Sequence, residues 1–206
     1  LREYFQAEIF PVLTPLAVDP GRPFPHISNL SLNLAIMLRD NQGQLHFARV
    51  KIPSGQNIYR IVSIKDDMDR YGEEPSWSRH VYVFLGEIIR NNLEILFPGM
   101  EIEQAYFFRV TRDADVEIAE DEASDLLETI EQGVRQRRFG QVVRLTVETS
   151  MPNTIRMTLA QNLDATPQDL YELEAPLGLA DLFTIADLDI PDLKYPNFVP
   201  IHSDVF

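Results

Sequence analysis

The sequence predicts a single α+β (or α/β) domain with a mixed β-sheet and packed helices. Three observations carry that expectation. In the first half, two runs with period-two alternation, residues 30–38 and 45–52, flank a cluster of turn residues, as the strands of a hairpin do. In the second half, apolar residues recur at helical spacing between strand-like runs. No polar linker interrupts the 206 residues, a length that buries a sizeable core without disulfides or metals.

Each element has its own reason. Residues 2–10 mix polar and apolar side chains and read as a helix that stops at Pro11, which lacks an N–H and crowds the preceding turn. Residues 11–25 contain five prolines (11, 15, 20, 23 and 25), so this segment is stiff and extended. Val12, Leu13, Leu16, Val18 and Phe24 give it apolar side chains to lay against the core. Residues 30–38 place Leu30, Leu32, Leu34, Ile36 and Leu38 on one side and Ser31, Asn33, Ala35 and Met37 on the other, the pattern of a half-buried strand. Asp40-Asn41-Gln42-Gly43 turns the chain into 45–52, and Pro53-Ser54-Gly55 turns it again. Residues 58–64 form a β-branched strand, 65–78 a polar surface loop, and 81–84 a short strand.

A helix is expected over 85–96, with Leu85, Ile88, Ile89, Leu93 and Leu96 on one face and Phe97-Pro98-Gly99 ending it. An aromatic-rich strand follows at 105–110. Ala123, Leu126, Leu127, Ile130 and Val134 mark an amphipathic helix over 122–138, with Gly140 as its stop. Residues 142–147 alternate as a strand, and Pro152 opens a helix with Ile155 and Leu159 turned inward. Residues 170–173 make a last strand and 179–186 a short helix, before prolines punctuate 191–200.

Composition bounds the function. Lys and Arg total 18 against 32 Asp and Glu, a formal charge of -14. So acidic a chain lacks the bulk field that grips nucleic acid or an anionic membrane. The absence of Cys removes disulfides, thiolate nucleophiles and Cys-ligated metals together, and fits a reducing compartment. No apolar run reaches the roughly 18–20 residues of a transmembrane span. The opening Leu1-Arg2-Glu3-Tyr4-Phe5 reads as the middle of a helix, and the expectation is a domain of a longer protein.

Few residues propose chemistry. His26, His46, His80 and His202 share no helical turn, and nothing local converges as zinc ligands do. His26 stands out for its place in the proline-rich segment. Asp113-Ala114-Asp115-Val116-Glu117 opens like a calcium loop, but Ile118 and Ser124 occupy the places that need Gly and Glu. Glu120, Asp121, Glu122 and Asp125 instead complement the N-terminus of the 122–138 helix, while Arg135, Arg137 and Arg138 complement its C-terminus. With Arg144, those three arginines form the one local stretch suited to phosphate or polyphosphate contact, through bidentate guanidinium hydrogen bonds. No phosphate-binding glycine loop, dinucleotide fingerprint or nucleophile elbow occurs.

Longer segments speak together. Pro11-Val12-Leu13-Thr14-Pro15-Leu16-Ala17-Val18-Asp19-Pro20, then Pro23-Phe24-Pro25-His26 and Ser28-Asn29-Leu30-Ser31-Leu32-Asn33-Leu34, resemble the long, multidomain bacterial polyphosphate kinases. So do Phe108-Arg109-Val110-Thr111-Arg112-Asp113, Arg135-Gln136-Arg137-Arg138-Phe139-Gly140, Val142-Val143-Arg144-Leu145-Thr146-Val147-Glu148 with Met151-Pro152, and Tyr171 to Leu182. Order and spacing hold over nearly the whole chain. The resemblance implies an enzyme that transfers the terminal phosphate of ATP reversibly to inorganic polyphosphate, with magnesium, through a phosphohistidine. It implies an N-terminal helical domain, a middle (head) domain and two C-terminal domains of phospholipase-D-like fold. This chain resembles the middle domain: 1–10 would end the preceding helical region, 11–190 would be the middle domain, and 191–206 would begin the connection to the catalytic domains.

In such a family the phosphorylated His and the magnesium-binding Arg residues fall after Phe206, and a nucleotide-contacting Asn falls before Leu1. No catalytic, cofactor or metal residue is therefore carried onto this sequence. The implied partners are the remaining domains of the same polypeptide, polyphosphate, ATP and further copies of the enzyme as a dimer or tetramer. The implied location is the cytoplasm, with membrane association open to the full-length enzyme. The implied role is assembly and enclosure of the polyphosphate channel. The alternative is a freestanding interaction module of the same fold, without kinase activity.

Overall fold

The structure, a computed structural model, describes residues 1–18, 24–55, 58–64, 81–113, 140–174, 176–196 and 198–200. Its frame is a mixed six-stranded sheet in the order β1-β3-β2-β6-β7-β8. The strands are β1 (Leu16–Val18), β2 (Leu32–Arg39), β3 (Leu45–Lys51), β6 (Glu101–Arg112), β7 (Val142–Glu148) and β8 (Leu170–Leu173). All neighbours pair antiparallel except β7 and β8, which run parallel. A parallel pair needs a crossover, and α4 (Asn153–Asn162) supplies it. A separate two-stranded sheet joins β4 (Ile61–Ser63) to β5 (Tyr82–Phe84).

β2 is central and covered on both faces, where its alternation had suggested one wet side. Leu34, Ile36 and Leu38 enter one core with Ala48, Val50, Phe107 and residues of the helices before β6. Ala35, on the other face, joins a second core with Phe108, Val110, Leu145, Val147, Ile155 and Leu159. Each fully buried Leu, Ile or Phe contributes about 1.5–3 kcal/mol relative to exposure. The polar exception on the second face is satisfied: Asn33 accepts from Arg49 Nε at 2.8 Å and donates to the Ser31 carbonyl at 2.9 Å. Leu30 departs from the expected strand. It sits in a turn at φ 59° with its side chain exposed, and its N–H bonds the Val110 carbonyl at 2.8 Å.

The helices also depart in instructive ways. The N-terminal helix does not stop at Pro11: α1 (Arg2–Tyr4) continues through a π-helical turn Phe5–Ile9 into a 3₁₀ turn Phe10–Val12. Proline is tolerated there because the first residues of a helical turn need no N–H. The turn keeps Phe5 and Ile9 both buried. The proline-rich segment is only partly laid against the core: Leu13 and Phe24 pack, while Val12 and Leu16 are exposed and 16–18 forms an edge strand.

The expected 85–96 helix breaks into α2 (Leu85–Arg90) and α3 (Leu93–Leu96). Asn91 and Asn92 donate side-chain hydrogen bonds to the carbonyls of Glu87 and Ile88, each at 2.8 Å, and so compete with the backbone ladder.

Strand 58–64 shrinks to β4, and 105–110 lengthens to the twelve residues of β6. The short helix is a 3₁₀ turn Leu179–Leu182 followed by α5 (Phe183–Ala186). The loop expected at 65–78 and the helix expected at 122–138 lie outside the described residues. Among those described, no helix is long and apolar enough to cross a membrane.

Candidate functional site

Strands β6 and β7 carry the same short pattern, Arg109-Val110-Thr111 and Arg144-Leu145-Thr146. Their antiparallel register sets Arg109 opposite Thr146 and Thr111 opposite Arg144. Because strand side chains alternate, all four share one face of the sheet. The intervening Val110 and Leu145 point into the second core. Tyr171 of β8 pairs with Thr146, and the Arg144 guanidinium lies 4.4 Å above its ring. One half of the sheet is therefore oily on one side and lined by arginine, threonine and tyrosine on the other.

After β8 the chain folds back over this polar face. Leu177, 6% exposed, anchors the return in the first core. Gly178 turns it at φ 93°, and a Cβ there would come within 3.2 Å of Asp181 Oδ2. Between the returning segment and the strands lies a cleft of about 340 Å³, lined by Arg109, Thr111, Arg144, Thr146 and residues 176–180.

A second cavity of about 250 Å³ adjoins it across Pro176 and Leu177. Two arginines line this cavity in different states. Arg90 is saturated: it donates to Glu87 at 2.7 Å and to Glu148 at 3.1 Å, and it lies 4.8 Å over the Phe107 ring. Glu148 also accepts the Phe107 backbone N–H at 2.9 Å, so this cluster locks α2 to the sheet. Arg60 is not saturated. Among the described residues its Nε and Nη1 are buried without a hydrogen-bond partner, as is Nε of Arg109.

The electrostatics follow from burial. Desolvation lowers the Arg60 pKa, with Arg109 adding repulsion and Asp181 working against both. Burial likewise raises the Asp181 pKa, against the pull of Arg60 and Arg109. Arginine does not neutralise in proteins, so two partly buried guanidinium groups act on one carboxylate whose charged form burial disfavours.

Of the phosphate-contact residues read from the sequence, Arg144 lies on this face, while Arg135, Arg137 and Arg138 lie outside the described residues. Arg60 and Arg109 were missed. Arg60 is remote in sequence, but the repeated Arg-x-Thr on two paired strands was a readable signal for Arg109. The histidines do not converge here: His46 Nε2 sits 2.8 Å from Asp40 at the first hairpin, and His26 is exposed in the proline-rich segment. His80 and His202 lie outside the described residues. Among the described residues, no group of three or more His, Asp or Glu side chains is placed to hold a metal ion.

Comparison with known proteins gives the frame for this face. The family model described as the polyphosphate kinase middle domain matches residues 1–185. A polyphosphate kinase from Prosthecochloris aestuarii is 51% identical over 201 residues, covering 97% of this chain and 28% of that protein. One from Thermosynechococcus vestitus is 49% identical over 201 residues, covering 97% of this chain and 27% of its own length. The chain thus spans somewhat over a quarter of such relatives. The crystal structure of polyphosphate kinase from Porphyromonas gingivalis shares the fold, with a TM-score of 0.69 at 22% identity over 98% of this chain and 27% of that one.

Proposed function

The chain belongs to the polyphosphate kinase family, and from that premise we propose that it is the middle domain of a longer enzyme that transfers the terminal phosphate of ATP reversibly to inorganic polyphosphate. The observation that carries this reading is the match of residues 1–185 to the middle-domain model, in a chain that spans about 28% of a relative 51% identical to it. On this reading 1–10 end a preceding helical region, 11–190 are the middle domain, and 191–206 lead toward the catalytic domains. The domain is non-catalytic, and the phosphohistidine forms on another part of the polypeptide. Its work is assembly of a dimer or tetramer in the cytoplasm and enclosure of the polyphosphate channel.

Charge supports a scaffold over a main binding surface. A formal charge of -14 repels a polyanion, so the strongest grip on polyphosphate belongs to other domains. Magnesium belongs to the proposed reaction, and the described residues bring no cluster of carboxylates and imidazoles together for it. The side chains that hold this domain in shape do structural work: Arg90, Glu87 and Glu148 fix α2, and Asp40 with His46 fix the first hairpin.

The test is synthesis. The 206-residue chain, given ATP, magnesium and a polyphosphate primer, is expected to make no polymer, while the longer protein containing it makes polymer under the same conditions. Polymer made by this chain alone would overturn the non-catalytic assignment.

A further inference from the structure

The cleft over β6 and β7 has the makings of an anion site that the scaffold role does not require. Arg109 and Arg144 stand diagonally across two paired strands with a threonine hydroxyl beside each. Among the described residues the cleft's lining includes no carboxylate. Among the described residues neither arginine makes an ion pair, and Arg109 keeps a buried Nε–H without a partner. Arg60 adds a third positive charge from the adjoining cavity, with two more unpartnered buried donors. Among the described residues Asp181 is the carboxylate coupled to both Arg60 and Arg109, while Glu87, Glu148 and Glu174 also line the cavity that Arg60 enters.

Burying guanidinium donors without acceptors is costly, and the cleft itself is lined by two arginines and by no described carboxylate. A small, multiply charged oxyanion answers both needs, since its oxygens accept from guanidinium forks and hydroxyls together. The cleft's roughly 340 Å³ is at the lower end of ligand pockets, which suits a compact anion.

We propose that the cleft between the Arg-x-Thr strands and segment 176–180 binds a phosphate-class oxyanion through Arg109, Arg144, Thr111 and Thr146, with Arg60 reinforcing the charge. Gly178 suits the turn that closes the cleft: its φ of 93° strains any residue with a Cβ, and a Cβ there would sit 3.2 Å from Asp181 Oδ2. The site deepens the reading above only by naming a phosphate-bearing ligand. Anion binding here does not depend on where the phosphohistidine forms, and the polymer-synthesis test does not depend on this cleft.

The experiment is a titration of the 206-residue chain with orthophosphate, tripolyphosphate and ATP, and separately with polyglutamate, read by calorimetry and by backbone amide shifts. Saturable binding of at least one phosphate compound is expected, with shifts at Thr111, Thr146 and Gly178. Affinity should fall as salt rises. Arg144→Gln, on an exposed side chain, and Arg109→Gln should each weaken binding about tenfold or more. Arg39→Gln, whose guanidinium pairs with Glu103 away from the cleft, should leave it unchanged. Tighter binding of tripolyphosphate than of orthophosphate assigns the site to chain phosphates, the reverse to free phosphate, and tighter binding of ATP to a nucleotide's phosphates. Each upholds the site. No saturation, the same affinity in Arg144→Gln as in the parent, or equal binding of polyglutamate would overturn it.

Discussion

Asp40 gathers three hydrogen bonds at the tip of the first hairpin: the Gln42 and Gln44 amides donate at 2.8 and 2.9 Å, and His46 Nε2 lies 2.8 Å away. The His46 contact first, and then the amides, stabilise the carboxylate and lower its pKa. The folded value therefore lies below the ordinary aspartate value of about 3.9. Such a group contributes stability that is fully present above the unfolded pKa and is lost as pH falls through the folded one. Asp169 behaves alike, lowered by its bonds from Thr166. Asp40→Asn should therefore lower stability near neutrality and make the decline below about pH 4 shallower without abolishing it, since Asp169 titrates in the same direction. Urea melts between pH 2 and 7 check this; an unchanged acid limb would mean that the carboxylate is no better placed folded than unfolded. At the same scale, much of the candidate site was hidden from sequence reading. Arg144 stood out in the sequence, but Arg109 becomes its partner only once strand register sets each across from the other's threonine, and Arg60 reaches them only through the fold.

Elements were legible where local chemistry decides them. The turn at Asp40-Gly43, strand 170–173 and the helix opened by Pro152 came out as their residues dictate, with Ile155 and Leu159 buried. Elements decided by neighbours were less so. Nothing in the 30–38 alternation reveals that β2 would be sandwiched between two cores, and Leu30 carries no signal for its positive φ. The break between α2 and α3 was readable in principle, since adjacent asparagines compete for backbone carbonyls. The junction of α2 with β6 supplies a sharp test. A Cβ on Gly86 would sit 2.8 Å from Cε1 and Cζ of Phe107, a ring only 7% exposed and flanked by Arg90. Gly86→Ala gains helix propensity of about 1 kcal/mol, but overpacking costs typically 1–3 kcal/mol. A net loss of about 1 kcal/mol is expected, with partial recovery in Gly86→Ala/Phe107→Leu. Urea midpoints for both variants decide; a more stable Gly86→Ala would show that the ring yields freely.

On the scale of the whole molecule, an acidic domain with an arginine-lined face fits the proposed scaffold role better than that of the seat of the chemistry. The bulk charge discourages a polyanion from settling over the surface, while the cleft offers a local exception among the described residues. Fold class was legible because hairpin signals and interleaved helix periods point to a mixed sheet. The assignment to a family rested on the order of long segments, which no single motif conveyed. The proposed role places the covalently carried phosphate elsewhere in the longer protein, and incubation with γ-labelled ATP tests it most directly. The account predicts label on the longer protein, lost in acid and kept in base as phosphohistidine is, and none on the 206-residue chain. Label of that stability on this chain alone would contradict it.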